Sequence, residues 1–120
     1  MKKEKAIKVD KGWGYELHIH NADGYCSKIL HIDEGKRFSM HFHLEKHETW
    51  YIAKGEVSLT YIDPKTADIG YMLLREGDVI VVGRGQPHQL QALKDTDIFE
   101  ASTPDKPEDS YRVGKGDSQK

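Results

Sequence analysis

Gly35-Lys36-Arg37-Phe38-Ser39-Met40-His41-Phe42-His43-Leu44-Glu45-Lys46-His47-Glu48-Thr49-Trp50 holds three of the chain's seven histidines. Side chains two apart on a strand share a face, so His41 and His43 project together, about 7 Å apart along the chain. Both imidazoles can reach one ion. Glu48 has the opposite parity and cannot join them on one continuous strand. Leu44 to His47 must therefore turn the chain, and Glu48 opens the next strand beside the first. On that strand Glu48, Trp50 and Ile52 share a face, with the carboxylate at a barrel mouth and the indole deeper. His88, arriving directly after Pro87, is placed to complete the set from the far side.

The rest of the chain reads as short alternating runs bounded by Gly, Pro, Asp and Asn, with no helical periodicity long enough for a helix. This predicts nine strands: 15–20, 25–32, 39–43, 48–53, 56–62, 71–74, 78–82, 88–93 and 97–101. Asn21-Ala22-Asp23-Gly24 and Lys54-Gly55 supply hairpin turns, and residues 63–70 a longer surface loop. The expected organisation is an N-terminal arm at 1–12, a barrel at 13–101 and a polar C-terminal tail at 102–120, laid over the barrel at Tyr111-Arg112-Val113. Nine short strands with short links suit an all-β jelly roll. An open sandwich leaves edge strands to protect, which predicts a homodimer through Ala6 to Val9.

Composition narrows the function classes. The chain has 120 residues, enough for one domain. Eighteen Lys+Arg against twenty Asp+Glu give a net charge of −2, without the basic excess a nucleic-acid binder needs. The longest apolar run, Val79 to Val82, is far short of a membrane span, and Met1-Lys2-Lys3-Glu4-Lys5 leads into no signal core; a cytoplasmic location is expected. Cys26 is the single cysteine, which excludes an intrachain disulfide and a thiolate metal cluster. It reads as a small packed thiol, and Trp13 and Trp50 as core or lid.

Three imidazoles and one carboxylate form a borderline ligand set for one divalent transition ion, Mn, Fe, Co, Ni, Cu or Zn, rather than for Ca²⁺ or Mg²⁺. Four protein ligands on a six-coordinate ion leave two positions for a substrate with adjacent oxygens, such as a hydroxy-carbonyl sugar.

The spacing Gly35, five residues, His41-Phe42-His43, four residues, Glu48, six residues, Gly55 resembles the first motif of the cupin superfamily. The run from Gly77-Asp78 through Gly85 to Pro87-His88 resembles the second, with Gly83 where proline is usual and Ala92 where asparagine is usual. Lys11-Gly12-Trp13-Gly14-Tyr15-Glu16, Gly35-Lys36-Arg37 and Glu48-Thr49-Trp50 are similar to the small cupin domain of type II mannose-6-phosphate isomerases, although Gln89 stands where an arginine commonly follows the last ligand. The resemblance implies a double-stranded β-helix, metal held by His41, His43, Glu48 and His88, and a metal-dependent aldose-ketose isomerase of a hexose or hexose phosphate. His47 and Tyr61 are candidate bases. Arg37, Lys36, Arg84 and Gln89 are candidate substrate contacts, Arg37 with a fork suited to phosphate. An Fe or Cu dioxygenase and a non-catalytic carbohydrate-binding cupin are the alternatives.

Overall fold

The computed structural model describes residues 1–120. Eleven strands follow one another: β1 (Ile7–Lys11), β2 (Gly14–Ala22), β3 (Tyr25–Ile32), β4 (Met40–Phe42), β5 (Glu48–Lys54), β6 (Glu56–Ile62), β7 (Ile69–Arg75), β8 (Val79–Val82), β9 (His88–Ala92), β10 (Thr96–Ser102) and β11 (Tyr111–Gly114). They form a six-stranded sheet, β1-β2-β3-β10-β5-β8, packed on a five-stranded sheet, β11-β4-β9-β6-β7. All pairings between strands are antiparallel. This is the jelly roll the strand pattern predicts.

Alternation decides which residues enter the space between the sheets. In β3 the inward set is Cys26, Lys28, Leu30 and Ile32; in β5 it is Glu48, Trp50 and Ile52; in β9 it is His88, Leu90 and Ala92. β10 runs the other way, with Thr96, Ile98 and Glu100. In β3, β5, β9 and β10, charged or imidazole side chains therefore crowd one end of the interior and aliphatic ones the middle. Ile32, Ile52, Leu90 and Ile98 are fully buried there and join Trp13, Phe38, Trp50, Val57 and Leu59 in one cluster. Truncating a site such as Ile52 to Ala costs about 2–5 kcal/mol. The apolar cluster anchors the strands, and their polar ends make the site.

Gly55 shows how tightly the β5–β6 hairpin is specified. Its φ is +100°, and a Cβ there would lie 2.4 Å from Thr96 Oγ1 and 2.5 Å from the Asp95 carbonyl. Glycine alone satisfies both demands.

Two placements differ from the sequence expectation. β5 does not lie beside β4: the Leu44–His47 turn carries the chain from the five-stranded sheet to the six-stranded one, so Glu48 faces the histidines across the interior. His88 does not come from the far side but sits directly opposite His41 on the neighbouring strand β9. Residues 102–120 do lie over the barrel at Tyr111–Val113, as read from the sequence, but they are more than a tail, because β11 is a paired member of the second sheet. Cys26 is packed and nearly inaccessible, as expected, and burial pushes its thiol up from the ordinary value.

Candidate metal centre

His41 on β4, His88 on β9 and His43 just past β4 each present one ring nitrogen within 4.8 Å of those of the other two. Every Nδ1 faces a backbone carbonyl: Ser39 O at 2.8 Å for His41, Asp109 O at 3.0 Å for His43 and Gln86 O at 2.8 Å for His88. A carbonyl only accepts, so each Nδ1 carries the proton and each Nε2 is left with a lone pair. Burial keeps the rings neutral, pushing His41 down to about 3 and His88 down to about 4, with His43 lowered as well.

Glu48 faces two of the three histidines from β5. Its Oε2 lies 3.5 Å from His88 Nε2 and 3.9 Å from His43 Nε2. Two kinds of acceptor thus face each other with no proton to share, and both Glu48 Oε2 and His88 Nε2 are buried without a hydrogen-bond partner. Such an arrangement is costly unless a cation lies among the lone pairs. The donor set of three neutral imidazoles and a carboxylate fits a divalent transition ion.

The shell behind the ligands is charged and buried. Lys46 Nζ lies 3.2 Å from Glu48 Oε1, 2.8 Å from Glu100 Oε2 and 3.3 Å from Asp105 Oδ1. It holds the outer oxygen of Glu48 and leaves the other facing the histidines. Burial opposes the charge on Lys46, but Glu100, Glu48 and Asp105 outweigh it and raise its pKa. Lys28 Nζ continues the network to Asp105 Oδ2 at 2.7 Å and Glu16 Oε1 at 3.6 Å. Burial, with the Glu48 charge adding to it, pushes the Glu100 carboxyl up.

Asp109 fixes the turn between the ligands. Its carboxylate accepts the backbone N–H groups of Leu44 at 2.9 Å, Glu45 at 3.0 Å and Lys46 at 3.0 Å, while its carbonyl accepts from His43 Nδ1. One residue from the C-terminal segment thereby orients a ligand and the turn leading to Glu48. No local pattern reveals it, because its partners are more than sixty positions away. Lys28 and Glu100 were missed too, although a signal exists for them: each alternates with aliphatic core residues, Lys28 with Leu30 and Glu100 with Ile98.

The ligand ring lines a cavity of about 320 Å³ that also meets Trp50, Lys28, Glu100, Asp105, His18 and Arg112. His18, which carries no motif spacing, donates to Glu16 Oε1 at 2.7 Å. The other sequence candidates lie outside the lining. The His47 backbone is tied to Thr103. Tyr61 packs against the aliphatic core with its ring against Gly70. Arg84 Nε donates to the Glu45 carbonyl and Gln89 Nε2 to the Phe38 carbonyl. Lys36 and Arg37 are exposed, their backbones pinned to Ala92 and Asp117. The two candidate bases and the four candidate substrate contacts thus all lie away from the cavity that the histidines line.

A Cupin domain family model matches residues 28–100. The chain belongs to the cupin family. This cupin is 30% identical over 57 residues to a mannose-1-phosphate guanylyltransferase of Salmonella muenchen, which covers 48% of the chain and 12% of that protein. Among solved structures it is similar to oxalate decarboxylase from Bacillus subtilis, with TM-score 0.75 and 21% identity over 90% of this chain and 30% of that one. That enzyme is also described with Mn(II) centres. The capsular polysaccharide assembling protein CapF from Staphylococcus aureus gives TM-score 0.77 and 16% identity, over 93% of this chain and 35% of that one. The cupin thus spans about a third or less of each of these proteins, and the structural likenesses speak to the fold.

Proposed function

We propose that this cupin is a metal-dependent aldose-ketose isomerase acting on a hexose or hexose phosphate, with His41, His43, Glu48 and His88 holding one divalent transition ion. The observation that carries the metal is the unpartnered pair Glu48 Oε2 and His88 Nε2, buried 3.5 Å apart. An ion bound there supplies Lewis-acid polarisation of a substrate carbonyl. The sugar phosphate in the guanylyltransferase's name and the polysaccharide in that of CapF favour a carbohydrate ligand.

The chain's own groups suit proton transfer between adjacent carbons. Glu100 lines the cavity, is raised in pKa and is steadied by Lys46. It takes the proton from the carbon bearing the hydroxyl and returns it to the neighbouring carbon, a role a carboxylate performs best when its pKa is moved toward neutrality. Trp50 Nε1 is a buried donor without an acceptor in the cavity wall, available to a substrate oxygen. Arg37, Lys36, Arg84 and Gln89, outside the lining, have no part in this reading, nor do His47 and Tyr61.

The test is deuterium incorporation at C1 and C2 of mannose 6-phosphate, fructose 6-phosphate and glucose 6-phosphate in D₂O. Metal-stripped protein is reloaded separately with Mn²⁺, Zn²⁺ and Fe²⁺. Metal-dependent exchange that Glu100→Gln abolishes without loss of bound metal is the expected result. No exchange with any of the three ions would remove the isomerase reading.

A further inference from the structure

Five lysines and arginines line the cavity: Lys11, Lys28, Lys46, Lys106 and Arg112. Lys28, Lys46 and Lys106 each lie within 4 Å of a carboxylate. Arg112 and Lys11 have no ion pair, and the Arg112 side chain makes no hydrogen bond. The register of β11 explains where Arg112 points. Tyr111 is opposite Phe42 and stacks on it, ring centroids 5.2 Å apart, on one face of the sheet. Arg112, one residue on, must take the other face, where it is directly opposite His41. Directly opposed side chains leave their strands about 5 Å apart. Arg112 and Lys11 are solvent-exposed, so the Arg112 guanidinium stands at the open side of the cavity wall beside a member of the histidine cluster, with no ion pair or hydrogen bond to hold it.

We propose that Arg112, supported by Lys11 from β1, binds the anionic group of the substrate, so that the ligand is an oxyanion-bearing molecule rather than a neutral sugar. This rests on the metal-centred cavity of the functional reading and names the class of ligand it takes. The guanidinium suits a phosphate or carboxylate bidentately, and a cavity of about 320 Å³ is at the small end for such ligands. The site assembles two segments that frame the chain, since Lys11 ends β1 and Arg112 lies in β11. It thus gives the C-terminal segment a role in recognition as well as in holding the ligand turn.

The experiment is calorimetric titration of the Mn²⁺-loaded protein with fructose 6-phosphate and with fructose, for wild type, Arg112→Gln and Arg112→Lys. Fructose 6-phosphate should bind wild type more tightly than fructose does. Arg112→Gln should weaken the phosphate ester about 10- to 100-fold and leave fructose unchanged. Arg112→Lys, which keeps the charge but not the fork, should fall between. Because the exposed Arg112 side chain makes no hydrogen bond or ion pair, Tm and bound Mn²⁺ should match wild type in both variants. Inorganic phosphate and oxalate, titrated as competitors, separate a phosphate from a carboxylate preference, and the preferred anion must be weakened by Arg112→Gln. Equal affinity of wild type and Arg112→Gln for all three anions, or no preference of wild type for fructose 6-phosphate over fructose, would overturn the proposal. Binding is read without turnover, so Arg112-dependent binding with no deuterium exchange would remove the isomerase reading and leave this subsite standing.

Discussion

Asp109 shows how a single side chain outside the ligand set controls it. It is almost completely buried, and its carboxylate terminates three consecutive backbone N–H groups. Asp109→Ala leaves three donors without an acceptor, at about 1–3 kcal/mol for each buried group, and a lower Tm in calorimetry is the expected outcome. Asp109→Asn keeps the shape and part of the bonding. It should weaken metal binding about 10- to 100-fold, as loss of an outer-shell partner does, measured by competition with a chromophoric chelator. The histidines and Glu48 were legible in sequence because a two-residue spacing and a parity break are local facts. Asp109 was not, because its work is done across a fold that the sequence pattern specifies only coarsely. Arg112 lies between these cases: the sequence marked Tyr111-Arg112-Val113 as touching the barrel, but its inward parity needs the stacking of Tyr111 on Phe42.

The C-terminal segment is the element that the composition disguised. Its residues are mostly polar, which read as a tail, yet several of its groups are bonded to specific partners in the barrel. Asn21 exchanges two hydrogen bonds with the Asp105 backbone, Asp117 accepts from the Arg37 N–H, and Ser118 Oγ accepts from the Gly12 N–H. The backbones also approach closely. A Cβ on Gly12 would lie 2.3 Å from the Asp117 carbonyl oxygen, and one on Gly116 would lie 2.3 Å from the Phe38 carbonyl carbon. Backbone cannot yield as a flexible side chain does, so Gly12→Ala and Gly116→Ala should lift the last turn away from the barrel. Amide exchange in residues 115–120 should speed up in both variants, while exchange in β5 and β10 stays slow. Wild-type rates at 115–120 in either variant would show that the close approach is not structural.

At the scale of the molecule, the barrel is apolar in its middle and charged at the mouth, and its acid stability should report on that division. Burial raises the Asp105 carboxyl, but the charges of Lys46 and Lys28 outweigh burial and hold it at about 2, against an ordinary 3.8. The native state thus favours the ionised form. Its contribution is fully present above pH 3.8 and is lost as pH falls from 3.8 through about 2. Asp105→Asn should flatten the acid limb of a stability-versus-pH curve in that window. β1 lies at the edge of the six-stranded sheet with its outer side unpaired by any strand, so we expect two copies to meet there. Light scattering at micromolar concentration should give twice the chain mass, and a monomer mass would refute the dimer. None of the chain's helices is long and apolar enough to cross a membrane. The all-β architecture and nine of the eleven strands followed from alternation, whereas β1 and β11 fell in the segments read as arm and tail, and the crossing of Leu44–His47 between sheets was not legible either, because parity fixes a face and not a neighbour. The most direct test of the whole account is the stoichiometry of bound Mn²⁺ by equilibrium dialysis and elemental analysis, in wild type, His43→Ala, Glu48→Gln and the distant control His20→Ala. One ion per chain in wild type and His20→Ala, with little or none in the other two, is the predicted result. No bound ion in wild type, or equal occupancy in all four, would contradict it.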